Sequence, residues 1–137
     1  MIPLEQLHEQ NHKMGELAKT LEYMFRDREL CDTGVTFELF ERYLKLFDEH
    51  MSHNKDIYAT LLNHSDTSVR QTVERFMEGE REIKRVFHDY EHKWCKHGLH
   101  IDDHDAFSAE TEDMFNLVWE RIQAESEQLY PIYRQHG

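Results

Sequence analysis

The chain has 137 residues, the length of one domain rather than two and enough to bury a core without metals or disulfides. It carries 28 Asp and Glu against 16 Lys and Arg, a formal net charge of −12. That charge disfavours phosphate backbones and anionic lipid surfaces, so neither nucleic acid nor a membrane is an expected partner. No stretch reaches the roughly 18 uninterrupted apolar residues of a membrane span. Residues 1–5 lack the basic segment and apolar run of a secretory signal, and two cysteines are not a disulfide framework, so the expected compartment is the cytoplasm.

Only 5 Gly and 2 Pro interrupt the chain, which implies few turns and long elements, and its richness in Glu, Lys and Leu makes those elements helices. The first helix is predicted over 3–26, with Pro3 in the first turn where a missing N–H costs nothing. A break at 31–34 leads to a second helix over 35–62. The Asn63, His64, Ser65, Asp66 cluster is a turn, and a third helix runs from 67 or 68 through Trp94, stopped near Gly98. Residues 97–106 form the longest loop. The fourth helix is predicted over 107–133, with Glu110, Glu112 and Asp113 suiting its N-terminal turns. Short connections between long helices predict an all-α, up-down-up-down antiparallel four-helix bundle spanning residues 1–137 as a single domain.

A spacing of three and four residues can be followed through each helix. It selects Leu4, Leu7, Asn11, Met14, Ala18, Leu21 and Phe25 in the first, and Phe40, Tyr43, Phe47, His50, Asn54, Ile57 and Leu61 in the second. The third contributes Val69, Val73, Phe76, Glu80, Ile83, Phe87, Tyr90 and Trp94, and the fourth Phe107, Thr111, Met114, Val118, Arg121, Glu125, Gln128 and Ile132. Each stripe is apolar except near its middle. Asn11, His50, Glu80 and Arg121 fall at one depth, about 21 Å from the end where the first and third helices finish, and Asn54 and Glu125 lie one turn further. Asn11, His50, Asn54, Glu80, Arg121 and Glu125 are therefore predicted to converge. Such a layer either fixes helix register through hydrogen bonds or holds a metal with inward carboxylates and imidazoles.

Three segments carry a family resemblance: residues 7–17 (LHEQNHKMGEL), 47–54 (FDEHMSHN) and 121–131 (RIQAESEQLYP). In their order and shared depth they resemble the hemerythrin-like, HHE cation-binding domains. The resemblance implies a four-helix bundle with a non-haem di-iron centre that binds oxygen or nitric oxide, or senses or stores iron. It also implies ligands that include His on the first helix, a His and Glu four apart on the second, His on the third, and His with a carboxylate on the fourth. Against that pattern, Asn11 stands at a His position with His12 adjacent, Asn54 at a Glu position, Glu80 at a His level and Arg121 at a His position. His50 and Glu125 match. The candidate metal ligands are thus His50, Glu125, Glu80, His53 and His12, with Asn11, Asn54 and Arg121 forming a core polar network. An alternative register of the second helix turns Glu49 and His53 inward instead.

Arg121 carries a permanent charge and cannot ligate a metal, whereas it can pair with Glu80 or Glu125. The expectation is a hemerythrin-like domain with an altered core and no cofactor, serving as a small cytoplasmic interaction or regulatory module with a protein partner. The alternative is a working non-haem iron protein whose partner is a metal ion or a diatomic gas. No nucleophile or acid–base pair stands out, so an enzyme is not expected. The run from Cys95 to His104, with His97 and His100, matches no zinc spacing, and surface histidines are the expected reading. Cys31 and Cys95 are expected at the same end of the helices, as independent thiols or as a pair.

Overall fold

Side chains that alternate in polarity every three or four residues can share one interior only as helices, and every regular element among the described residues is helical. The structure, a computed structural model, describes residues 3–95 and 101–136. Met1, Ile2, the helix stop expected at 96–98 and the loop histidines His97 and His100 lie outside the described residues. Among the described residues there is no strand, and no helix is long and apolar enough to cross a membrane. The elements are α1 (Leu4–Arg26), α2 (Gly34–Leu62), α3 (Thr67–Trp94) and α4 (His104–Ala124), the last followed without a break by a π-helical turn (Glu125–Leu129) and α5 (Tyr130–His136).

The helix starts are written in short polar side chains that accept otherwise unpaired N–H groups. Thr33 accepts from the Thr36 N–H, Asp66 from Ser68 and Asp103 from Ala106. The Asp103 cap opens α4 at His104, ahead of the expected Phe107. His104 is anchored rather than free, since its Nε2 pairs with the Phe25 carbonyl at 2.8 Å.

α1 packs against α2 and α4, and α3 packs against the same two helices. The expected stripes of α1, α2 and α3 are buried along their length, apart from half-buried Leu4. The fourth stripe holds from Phe107 to Glu125 and then departs. Gln128 is exposed and Ile132 only half-buried, while Leu129 and Tyr130 are fully buried. The cause is the π-turn, in which the Tyr130 N–H bonds the Glu125 carbonyl five residues back. Pro131 has no N–H, and in a regular α-helix its ring would press on the Glu127 carbonyl. A π-turn just before it relieves that conflict and rotates Tyr130, in place of Gln128, onto the inward face.

The apolar interior falls into two clusters on either side of the polar layer. The larger gathers Phe25, Phe40, Tyr43, Phe47, Phe87, Tyr90, Trp94 and Phe107, the aromatics expected there. Phe25, near the end of α1, lies 5.7 Å from Phe40 near the start of α2 and 5.0 Å from Phe107 near the start of α4. The smaller cluster includes Leu7, Ile57, Leu61, Val69, Val73, Leu129 and Tyr130.

Gly15 lies where α1 meets Trp119 of α4, and a Cβ added there would stand 2.9 Å from the indole Cη2. Alanine would gain about 1 kcal/mol in helix propensity, but overpacking against a rigid ring costs about 1–3 kcal/mol. Gly15→Ala is therefore expected to lower the urea-unfolding free energy. In a Trp119→Ala background, where the ring is gone, the same change should raise it.

Candidate functional site

The six polar residues expected to converge are all buried: Asn11 on α1, His50 and Asn54 on α2, Glu80 on α3, Arg121 on α4 and Glu125 at the first position of the π-turn. Glu125 is the centre, with no exposed surface. Its Oε1 accepts from His50 Nε2 at 2.7 Å, from the Tyr130 hydroxyl at 3.0 Å and from Asn11 Nδ2 at 3.5 Å. Its Oε2 accepts from Asn54 Nδ2 at 2.8 Å and from Arg121 Nε at 2.9 Å. Both carboxylate oxygens are thus supplied by donors from three helices and by Tyr130.

Arg121 spends its remaining donors on α3 and α2. Nη1 donates to the Phe76 carbonyl at 2.7 Å, Nη2 donates to the Tyr58 hydroxyl, and the guanidinium lies over the Phe76 ring at 4.7 Å. Gly79 makes the room, since a Cβ there would come within 3.1 Å of Nη1. Tyr58 in turn faces Glu80 Oε1 at 3.5 Å, and Glu80 Oε2 reaches Lys84 at 3.4 Å at the surface. On the other side, His50 Nδ1 pairs with Gln10 Oε1 at 3.0 Å, and Gln10 Nε2 donates to His53 Nδ1 at 2.9 Å. A chain of polar contacts thereby crosses the interior from His53 through Gln10, His50, Glu125, Arg121, Tyr58 and Glu80 to Lys84.

Helix register separates the remaining candidates. His50 and Asn54 face inward and Glu49 is exposed, so the alternative reading of Glu49 and His53 as the inward pair is corrected. His53 is half-buried at the edge, held by Gln10, and His12 points to solvent, rotated off the Asn11 face. Gln10, Tyr58, Gly79 and Tyr130 are the participants that sequence reasoning missed. Tyr58 could have been found one turn beyond Asn54. Tyr130 was reachable only by recognising that Pro131 favours an irregular turn before it.

Burial alone would raise the Glu125 carboxyl, but the hydrogen bond and charge of His50, together with those of Arg121, outweigh it and hold the group below the usual carboxylate range. Burial dominates at the two tyrosines, pushing the Tyr58 and Tyr130 hydroxyls well above their ordinary value and keeping them as donors. The cysteines take no part. Both are free thiols, Cys31 within the larger apolar cluster and Cys95 packed against it. Cys95 is pushed up to about 12 by burial and the nearby Glu91 and Glu41 charges.

A di-iron centre needs several anionic or imidazole ligands with free lone pairs. Here the central carboxylate is already engaged by a guanidinium, an imidazole, two amides and a phenol. Asn11 Oδ1 and Asn54 Oδ1 are the acceptors at this level without a protein partner, and both are neutral. Among the described residues, no three His, Cys, Asp or Glu side chains stand where they could share a metal ion. The residues present do not fit two iron ions, because a permanent cation occupies the inward shell and spends the best ligand.

Removing one member of a buried pair strands the other. Arg121→Met is expected to cost about 3–5 kcal/mol in chemical denaturation. Adding Glu125→Gln to it should recover part of that loss, so that the double variant is less destabilised than the two single costs predict. The pH dependence has a definite sign. Glu125 ionises more readily in the folded chain, so its contribution is complete above the unfolded glutamate value of about 4.3 and is lost as pH falls from there through the folded value. Unfolding free energies measured from neutral pH downward should drop in that window, and less steeply in Glu125→Gln.

No family model, no curated protein and no solved structure matches this chain.

Proposed function

We propose that the chain is an up-down-up-down antiparallel four-helix bundle of the hemerythrin-like kind in which an organic ion pair replaces the metal centre. In this reading it works in the cytoplasm as a small interaction or regulatory module for a protein partner, without catalysis of its own. Short connections, residues 27–33 and 63–66, support antiparallel neighbours. So does the meeting of Phe25 with Phe40 and Phe107, which brings the finish of α1 beside the starts of α2 and α4. Two free thiols suit a reducing compartment.

The observation that carries the reading is the Arg121–Glu125 contact at 2.9 Å, with Arg121 standing where the resemblance calls for a histidine ligand. A guanidinium there supplies the positive charge that a metal would otherwise bring to the buried carboxylate, and it cannot be displaced by deprotonation. His50 and Asn54 complete the carboxylate's coordination by hydrogen bonds. A core arranged this way sets helix register and leaves the surface to act.

The deciding measurement is metal content and visible absorption after anaerobic loading with ferrous iron, gel filtration and exposure to air. The expected result is far less than one iron per chain and no oxo-to-iron charge-transfer band. About two irons per chain with that band would instead establish the iron-protein alternative. As a positive control, the combined Asn11→His, Asn54→Glu and Arg121→His variant restores ligand-capable side chains and frees Glu125. It should retain more iron than the parent.

A further inference from the structure

α3 and α4 leave a groove between them that the buried network does not use, with a volume of about 460 Å³. Its floor is apolar, formed by buried Tyr90 and Met114 and by half-buried Val86 and Leu117. Its edges are acidic. Asp89 on α3 and Asp113 on α4, both exposed, flank the floor from opposite walls. Lys93, the cation of the lining, is already committed, 2.6 Å from Glu110 and 5.0 Å above the Trp94 ring. Asp89 is approached only loosely, by His88 Nδ1 at 3.7 Å and by Arg85 at 3.9 Å, and Arg85 is held at 2.6 Å by Glu82. Asp113 makes no ion pair among the described residues.

We propose that this groove docks an amphipathic helix of a partner protein, one that carries an apolar stripe about two turns long with Lys or Arg on both flanks. The inference deepens the reading of the chain as an interaction module by naming the surface and the chemistry of the partner. Two helices side by side present the trough into which a third helix lays its apolar face. From Val86 to Lys93 the trough runs about 10 Å, which matches anchors at i, i+3 or i+4, and i+7. Carboxylates on both walls select cations on both sides of that stripe and reject acidic helices. A second copy of this chain is a poor occupant. It brings another net charge of −12 and would set acidic edges against acidic edges. An anionic ligand or lipid surface is disfavoured by the same charges.

The probe is a synthetic helical peptide of Leu and Lys with leucines on one face, compared with a scrambled peptide of identical composition, titrated into the isotope-labelled full chain. Amide shifts are expected to concentrate on α3 from Val86 to Lys93 and on α4 from Glu110 to Leu117, with the scrambled peptide binding at least about tenfold more weakly. Leu117→Asp, and separately the Asp89→Lys, Asp113→Lys pair, should each weaken the patterned peptide by about tenfold or more. Reversing two distant carboxylates, Glu9→Lys and Glu16→Lys on the exposed face of α1, should change it by less than about twofold at physiological salt. The amide spectrum of each variant reports whether it is folded. Shifts scattered over the acidic surface, equal binding of the scrambled peptide, or equal losses from both charge reversals would overturn the proposal. So would self-association through this groove in sedimentation without peptide. Iron uptake by the unaltered core would defeat the metal-free reading while leaving the groove result intact, so the two failures are distinguishable.

Discussion

A carboxylate with no exposure to water is the constraint around which the interior is arranged. An ionised Glu125 in a low-dielectric core costs several kcal/mol unless its charge is matched and its lone pairs are filled. Arg121 matches the charge one turn away on the same helix, and His50, Asn54, Asn11 and Tyr130 fill the remaining directions. Because these partners come from α1, α2 and α4 and the segment after it, a slide of any one helix would break a bond at the least tolerant point. The apolar clusters on either side contribute burial, but apolar contacts tolerate shifted packing, whereas hydrogen bonds to a buried charge do not.

Backbone irregularities serve that layer. The π-turn begins at Glu125 itself and brings Tyr130 onto the same carboxylate. Gly79 leaves α3 bare where the Arg121 guanidinium passes to the Phe76 carbonyl. Gly15 admits Trp119 close against α1, which draws α1 and α4 together beside the layer. Each departs from what helix propensity alone favours, and the two glycines are each matched to a specific side chain of the opposing helix, Gly79 to Arg121 and Gly15 to Trp119. The network also reaches the edge of the interior at half-buried His53 and the surface at Lys84, so the buried pair is tied to positions on α2 and α3 outside the core.

The acidic character of the chain has different consequences inside and outside. Inside, each carboxylate has a donor or a cation in reach. Outside, Asp89 and Asp113 border an apolar trough whose lysine is already paired. A surface that is negative overall discourages self-association and anionic ligands, and focuses any cationic partner onto the places where apolar area is also available.

Much of this was legible in residue spacing. Helical stripes, their polar interruptions and the shared depth of Asn11, His50, Asn54, Glu80, Arg121 and Glu125 follow from the rise and periodicity of an α-helix, which are local properties of the chain. The pairing potential of Arg121 is likewise a property of the residue, since a guanidinium stays charged wherever it is placed. Other features needed the tertiary structure. Periodicity could not choose between His50 and Glu49 as the inward residue of α2, because adjacent positions differ by about 100° and only the neighbouring helices define inside. It failed beyond Glu125, where Pro131 turned the helix by one residue and exchanged Gln128 for Tyr130. Which donor reaches which oxygen of Glu125 depends on distances between helices. The sequence alone determined that a polar layer must exist and that it must be paired; only the packing of separate helices decided the partners, because those contacts join residues far apart in the chain.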